Sequence, residues 1–209
     1  MDSSISSTPL VNLLASQSES TRTVRIASTL FIVVLTAAAA QISVPLPFTD
    51  VPLTFQPMVV LLGGLALGSR LGAASQFLYL AAGIAGLPVF AASPTLPPEI
   101  LRLLGPTGGY LMSYPLAAFL VGYLAERGFD RRYVTAYLAL LVGLVVIYLS
   151  GATWLGVFVR TGTEPVGLST ALALGVYPFV IADLLKLLVA AAIRSEEHTS
   201  ELQSRFGIS

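Results

Sequence analysis

Asp183 and Lys186 stand in a segment that is otherwise apolar, FVIADLLKLLVA at residues 179–190. A spacing of three residues places both side chains on one face of a helix. Ionisable groups inside a membrane helix are costly, and they usually face a protein interior or a watery cavity. Two interpretations follow: a structural ion pair that fixes one helix in a bundle, or a polar site for a ligand. Pro178, just upstream, favours the ligand site because it can kink the helix and free a backbone carbonyl.

The rest of the composition excludes several other chemistries. The chain has no cysteine, and His198 is its only histidine. Thiolate and histidine metal sites, disulfides and histidine-dependent triads are therefore excluded, and we expect no metal, no cofactor and no catalytic residue. An intramembrane enzyme that used Asp183 and Lys186 as acid and base would lack a second acid in a span. The balance of 11 basic and 11 acidic residues argues against a nucleic-acid partner.

Hydropathy indicates the fold class. Hydrophobic residues make up 55% of the 209 residues, charged residues only 11%, and the mean hydropathy is +0.83. Soluble domains carry about a quarter charged residues. The composition therefore predicts an all-α integral membrane protein with several spans, each of roughly 20 apolar residues.

Six transmembrane helices account for the apolar runs. An arginine in mid-bilayer is costly, so Gly68-Ser69-Arg70 predicts a tight turn between two short helices rather than one long helix. The segment 44–56 contains three prolines and is predicted to be a loop. The predicted spans are 24–43, 57–67, 71–86, 108–125, 133–159 and a last span that begins between Leu168 and Val176 and ends near Ile193.

Basic residues predict the orientation of this bundle. The cytoplasmic loops of membrane proteins carry an excess of lysine and arginine. With six spans, the opposite loops hold only Arg102 and Arg160. We therefore predict that both termini are cytoplasmic. The cytoplasmic side then holds Arg22, Arg25, Arg70, Arg127, Arg131, Arg132 and Arg194.

The two ends of the chain differ from the apolar middle. Residues 1–23 are polar and rich in serine, and they predict a disordered cytoplasmic leader. Residues 24–194 are the predicted six-helix transmembrane domain. The tail 195–209, SEEHTSELQSRFGIS, changes abruptly to polar sequence, and we predict that it is not native.

Two outer loops carry further candidate residues. The segment VPLPFTDVPLTFQP (44–57) ends with Gln56 as a hydrogen-bonding group, although a short structural lid explains it equally. In LLGPTGGYL (103–111), the glycines and the helix start that follows offer backbone N–H groups to a ligand, or merely a flexible helix entry. Tyr79, Phe90 and Tyr110 are candidates for lining an amphipathic pocket, or for an interfacial aromatic belt.

Taken together, these segments resemble the BioY family, the biotin-specific substrate-capture (S) components of energy-coupling-factor (ECF) transporters. The resemblance is carried by AAAAQISVPLPFTDVPLTFQPMVVLLGGLALGSRLGAASQFLYLAAGIAGLPVF, LLGPTGGYL and PFVIADLLK, in the same order over residues 24–194. It implies a six-helix S-component fold with a vitamin pocket near the outer face. It also implies uptake of biotin without covalent chemistry, in membrane lipid, with a transmembrane coupling protein and ATPase subunits as partners. A solitary biotin carrier, or a structural subunit with no small ligand, remains an alternative.

The same resemblance implies the binding residues. The D-x-x-K of the family's last helix falls on Asp183 and Lys186. An aspartate can accept hydrogen bonds from the ureido N–H groups of biotin. Lys186 remains open between pairing with Asp183, with the ureido oxygen and with the ligand's carboxylate. The further expected substrate-binding residues are Gln56, Thr107, Gly109, Tyr110, Phe90 and Tyr79.

Overall fold

A computed structural model describes the backbone of residues 8–91 and 101–206, and the side chains of 21–91, 101–160 and 162–193. Residues 1–7 of the predicted leader and 207–209 of the predicted tail lie outside the described residues. The elements are α1 (Thr8–Gln41), β1 (Ser43–Leu46), β2 (Thr49–Thr54), α2 (Gln56–Ile84), α3 (Leu101–Leu104), α4 (Gly108–Ala125), a 3-10 turn (Phe129–Arg131), α5 (Tyr133–Val157), β3 (Arg160–Thr161), β4 (Glu164–Pro165), α6 (Leu168–Gly175) and α7 (Tyr177–Phe206).

The first helix begins earlier than its apolar run. It starts at Thr8, so residues 8–23, which the sequence predicts to be part of a disordered leader, are helical in the structure. Between Thr8 and Gln41 the chain has no glycine, and its one proline, Pro9, stands in the first turn, where its missing N–H costs nothing. At the other end, α7 continues through residues 195–206. That the tail is not native stays a prediction, because a helix says nothing about its origin.

The segment 44–56, predicted to be a loop, forms an antiparallel β-hairpin instead. Strand β1 pairs with β2 through Ser43 with Thr54 and Val44 with Leu53. The register shifts between Val44 and Leu46, where Pro45 has no N–H to donate to the ladder. A second short hairpin joins β3 to β4. The fold is therefore mostly helical rather than entirely so.

The predicted break in the second apolar run is confirmed, at Gly68. This residue has φ 79° and ψ 178° inside α2, a conformation that favours glycine. A Cβ added to Gly72 would lie 2.8 Å from the Cα of Gly64. In one continuous helix, residues eight apart are separated by about 12 Å along the axis. The two halves, 56–67 and 69–84, therefore turn back and pack against each other.

The remaining apolar runs form helices close to the predicted bounds. Helix α4 has the predicted bounds, and α5 ends two residues before the predicted end of its span. The last run is a bent pair, α6 and α7, with an angle of 46° at the break. The two predicted limits for the start of the last span therefore correspond to helix starts: α6 begins at Leu168, and α7 begins directly after Val176.

The described residues form a multi-pass membrane protein. Among the described residues, four helices are long and apolar enough to cross a membrane when α2 is counted as one despite its break, and five if α6 and α7 are one broken span. Large apolar side chains are exposed along these helices, where lipid would cover them. Examples on α1, α2, α5 and α7 are Phe31, Val34, Phe77, Leu149 and Ile181.

Candidate ligand-binding site

A cavity lies where β2 meets α4, α5 and the α6–α7 bend. The space between its walls, counted together with the solvent-filled opening, is about 600 Å³. Most of its lining is apolar or aromatic, with a few polar side chains among them. The lining residues are Val51, Pro52, Leu53, Thr54, Gln56, Pro57, Ala91, Arg102, Thr107, Tyr110, Leu111, Tyr114, Ile147, Tyr148, Gly175, Phe179 and Asp183.

Asp183 is the buried carboxylate of this cavity. The residue is 4% exposed. Its Oδ1 accepts a hydrogen bond from Lys186 Nζ at 2.8 Å, and its Oδ2 accepts one from the Tyr148 hydroxyl at 2.6 Å. Each carboxylate oxygen has a further lone pair. Asp183 is therefore held from both sides and can still accept hydrogen bonds from a ligand.

Lys186 joins α7 to the end of the β1–β2 hairpin. Its Nζ donates to the Thr54 carbonyl oxygen at 2.7 Å and lies 5.2 Å from the centroid of the Phe55 ring. Lys186 is not among the residues that line the cavity. Asp183 and Lys186 thus form the predicted pair, but the two side chains have different surroundings.

A series of hydrogen bonds holds the start of α2 in place. Gln56 Nε2 donates to the Tyr79 hydroxyl at 2.6 Å, and that hydroxyl donates to the Val89 carbonyl at 3.0 Å. Phe90 packs edge-on against Tyr79, with ring centroids 5.6 Å apart. Of these three predicted site residues, Gln56 lines the cavity, whereas Tyr79 and Phe90 lie behind it and support it.

The loop before α4 contributes Thr107. This side chain is buried and lines the cavity, and its Oγ1 has no hydrogen-bond partner among the described residues. Buried hydroxyls normally have a partner. Thr107 is therefore a group that a ligand can satisfy.

Tyr110 lines the cavity and also holds the α6–α7 bend. The Phe179 N–H bonds to the Val176 carbonyl rather than to that of Gly175. The Gly175 carbonyl instead accepts a hydrogen bond from the Tyr110 hydroxyl at 2.8 Å. The aromatic ring of Tyr110 is thus available to a ligand, while its hydroxyl stabilises the bend.

Gly109, in contrast, lies away from the cavity. Its carbonyl accepts a hydrogen bond from Ser150 Oγ at 2.8 Å, and an added Cβ would lie 2.2 Å from Cβ of Trp154. This glycine lets α4 approach α5 closely. The structure therefore does not bring Gly109 together with the other predicted site residues.

Arg102, which was not among the predicted site residues, lines the same cavity from α3. It is 6% exposed, and its Nη1 donates to the Ala91 carbonyl oxygen. Burial lowers the pKa of the Arg102 guanidinium, and the nearby Tyr79 has the opposite effect. A guanidinium remains protonated in proteins even so. The cavity therefore has side chains of both charge signs in its lining.

Comparison with known proteins identifies the family. The model of the BioY family matches residues 12–201. The chain belongs to the BioY family. A probable biotin transporter BioY of Pyrococcus horikoshii is 43% identical over 161 residues, which are 77% of this chain and 88% of that protein. The biotin transporter BioY of Thermotoga maritima is 38% identical over 76% of this chain and 86% of its own length.

A solved structure extends this result to the fold. The S-component for biotin from an ECF-type ABC transporter, a crystal structure at 2.1 Å, has a TM-score of 0.71 to this chain. The two are 25% identical, and the alignment covers 88% of this chain and 93% of the other. The resemblance inferred from the sequence motifs is thus confirmed. In this BioY-family chain the cavity brings together Asp183, Gln56, Thr107 and Tyr110 of the predicted residues, and adds Arg102 and Tyr148.

Proposed function

We propose that the chain binds biotin in this cavity and serves as the substrate-capture component of an ECF-type transporter. The observation that supports this most is that one cavity with mostly apolar walls has both a buried carboxylate, Asp183, and a buried guanidinium, Arg102, in its lining. Biotin has a ureido end that donates N–H groups, an apolar bicycle and a carboxylate tail. Each part has a chemically matching group in the lining. Binding and release involve no covalent step.

In this proposal the ureido end faces Asp183. The carboxylate oxygens accept from Lys186 and Tyr148 and keep further lone pairs. A carboxylate makes stronger hydrogen bonds to N–H donors than a neutral acceptor does. The unpartnered Thr107 hydroxyl and the Gln56 amide are the further polar groups for the ligand, and the Tyr110 ring contributes apolar area.

The carboxylate tail of the ligand pairs with Arg102. A guanidinium offers a planar fork of donors that matches a carboxylate. Arg102 is buried in the described structure, so its charge is little screened by water. Its place in α3, in an outer loop of the proposed topology, puts the tail nearer the mouth of the cavity than the ureido end.

We also propose six membrane crossings with both termini in the cytoplasm. The reversal at Gly68 divides α2 into two crossings, and α6 with α7 forms one. The half 56–67 is about 18 Å long against a core of about 30 Å. The β1–β2 hairpin and the cavity therefore occupy the outer part of the bilayer at this point. This topology leaves Arg70, Arg127, Arg131 and Arg132 on the cytoplasmic side.

Binding of labelled biotin to detergent-purified protein tests the ligand. We expect saturable binding that unlabelled biotin displaces fully. The methyl ester of biotin should compete far less well, because it has no charge for Arg102. Folded protein, cleared of co-purified biotin, that fails to bind would refute the assignment.

Uptake by cells tests the transport role. The chain, expressed in a host that lacks its own biotin carrier, should restore uptake. Under the proposal, uptake falls when a transmembrane coupling protein and its ATPases are removed from that host. Undiminished uptake without them would favour a solitary carrier.

A further inference from the structure

The ammonium group of Lys186 is surrounded by groups of this chain. Two of its three N–H donors are used by Asp183 Oδ1 at 2.8 Å and by the Thr54 carbonyl at 2.7 Å. The Phe55 ring centroid lies 5.2 Å from Nζ, within the range of cation–π attraction. The side chain of Lys186 is 11% exposed. Lys186 thus contacts the cavity's carboxylate on one side and the hairpin on the other.

The hairpin that Lys186 holds is a wall of the cavity. Four consecutive residues of β2, Val51 to Thr54, line it. Within the part of the chain that the structure describes, strand β2 pairs only with β1 in a two-stranded sheet, and such a hairpin is marginally stable alone. The position of this wall therefore depends on contacts with neighbouring helices.

The end of β2 is held by hydrogen bonds to the start of α2 and to α7, and these two connections have different consequences. On one side, the Gln56 N–H donates to Thr54 Oγ1 and the Gln56 side chain donates to Tyr79. On the other side, Lys186 reaches the Thr54 carbonyl from α7. The Lys186 contact also includes Asp183, so it connects the wall with the carboxylate inside the cavity.

We infer that Lys186 is a positioning residue with two tasks. It orients Asp183, and it acts as a latch that holds the β1–β2 hairpin closed over the cavity. A ligand enters or leaves when the bond between Lys186 and Thr54 breaks. The latch itself follows from these contacts, whereas the identity of the ligand rests on the proposed function.

The rates of biotin exchange separate a latch from a direct ligand contact. Replacing Lys186 with methionine removes the donors and keeps a chain of similar length. A latch predicts that association and dissociation both accelerate, with dissociation faster on the order of tenfold, the effect of losing one hydrogen bond to a charged group. Lys186→Arg, which keeps charge and donors, should stay near the wild-type rates. Faster dissociation with unchanged association in Lys186→Met would show a ligand contact and overturn the latch.

Cysteine labelling tests the latch without any biotin. The sequence has no cysteine, so Val51→Cys introduces a single thiol into the cavity wall. In protein without biotin, a water-soluble maleimide should label it on the order of tenfold faster when Lys186→Met is also present. A cysteine at Phe48, exposed at the hairpin tip, is the control and should react equally in both backgrounds. Equal rates at Val51→Cys would contradict the latch, whether or not the protein binds biotin.

A second variant covers the case in which Lys186→Met does not fold. Phe55→Leu removes the aromatic face and leaves the ion pair and the Thr54 bond in place. It should accelerate labelling at Val51→Cys in the same direction by a smaller factor, because cation–π attraction at a partly exposed site is weaker than a charged hydrogen bond. An unchanged labelling rate in Phe55→Leu would likewise contradict the latch.

Discussion

Two carboxylates of this chain join neighbouring helices, and they do so in opposite surroundings. Asp183 is 4% exposed and accepts hydrogen bonds from Lys186 and Tyr148. Glu126, at the end of α4, is exposed. Its Oε1 accepts from the backbone N–H and from the hydroxyl of Ser69, both at 2.8 Å. Ser69 follows the break at Gly68, where the second half of α2 begins.

The difference separates a proposed ligand-binding group from a structural one. A buried carboxylate is costly unless a cation and hydrogen bonds compensate it, and Asp183 has both beside a cavity. An exposed carboxylate at a helix start needs only the free N–H groups of the first turn and the helix dipole. Glu126 satisfies one such N–H and does not line the cavity. Four predictions examine this contrast, beginning with the largest effect.

Arg102→Gln should weaken biotin binding on the order of 100-fold. The variant removes the charge that pairs with the ligand's carboxylate, and one or two charge-assisted hydrogen bonds account for that factor. Equilibrium binding measures it, with the exposed Arg160→Gln as the matched control. The methyl ester of biotin should bind Arg102→Gln and wild type equally. If Arg102→Gln weakens binding of the ester as much as binding of biotin, Arg102 maintains the structure of the site and does not pair with the ligand's carboxylate.

Tyr148→Phe should weaken biotin binding about tenfold. The variant removes the hydroxyl that donates to Asp183 Oδ2 at 2.6 Å and keeps the ring. Isothermal titration would show the change. Tyr133→Phe removes a hydroxyl that donates to the Leu188 carbonyl at 3.3 Å, and it should leave the affinity unchanged. If both variants bind like wild type, the orientation of Asp183 does not depend on Tyr148.

Glu126→Gln should lower the melting temperature by about 2 °C, because an amide is a weaker acceptor than a carboxylate at a helix start. Biotin affinity should stay within twofold of wild type, since Glu126 does not line the cavity. Thermal unfolding and equilibrium binding on the same samples measure both quantities. Glu164→Gln, also an exposed carboxylate, is the control for charge alone. A large loss of affinity in Glu126→Gln would remove the contrast with Asp183.

The smallest expected effect is on the pH dependence of the stability that Glu126 contributes. The backbone N–H and the hydroxyl of Ser69 lower the pKa of this carboxyl, with Arg127 and Arg70 adding to the shift. A depressed folded-state pKa means stability that is present above the unfolded-state value of about 4.3 and is lost as pH falls through the folded-state value. The difference in melting temperature between wild type and Glu126→Gln should therefore shrink below about pH 4. A difference that stays constant from pH 6 to pH 3 would contradict this cause.

The sequence predicted the helices well because their signal is local. Apolar runs gave α4 its bounds, and Arg70 in mid-run indicated the break that lies at Gly68. The β1–β2 hairpin was missed because three prolines favoured a loop. Prolines fit here because the sheet, as far as the described residues show it, has two strands, both of them edges, and because the register shifts beside Pro45.

Residues of the candidate site could be predicted from the sequence where their polarity differs from that of their neighbours along the chain. Asp183 stands out in an apolar helix, whereas Arg102 lies in the connection between α2 and α4, where a charge is ordinary. Tyr148 resembles any other large side chain of α5, and only the packing of α5 against α7 brings it to Asp183. Gly109 is predicted as a site residue because glycines at a helix start let the backbone approach a ligand, and the sequence does not show that this glycine instead packs against α5.

We propose that Asp183 binds the ligand, whereas Glu126 only holds helices together. Biotin affinity measured side by side in wild type, Asp183→Asn and Glu126→Gln tests it most directly, because both variants exchange one carboxylate for an amide. We expect a loss on the order of 100-fold or more for Asp183→Asn and an unchanged affinity for Glu126→Gln, with all three proteins folded. Equal affinities in the two variants would contradict it and return Asp183 and Lys186 to a structural ion pair.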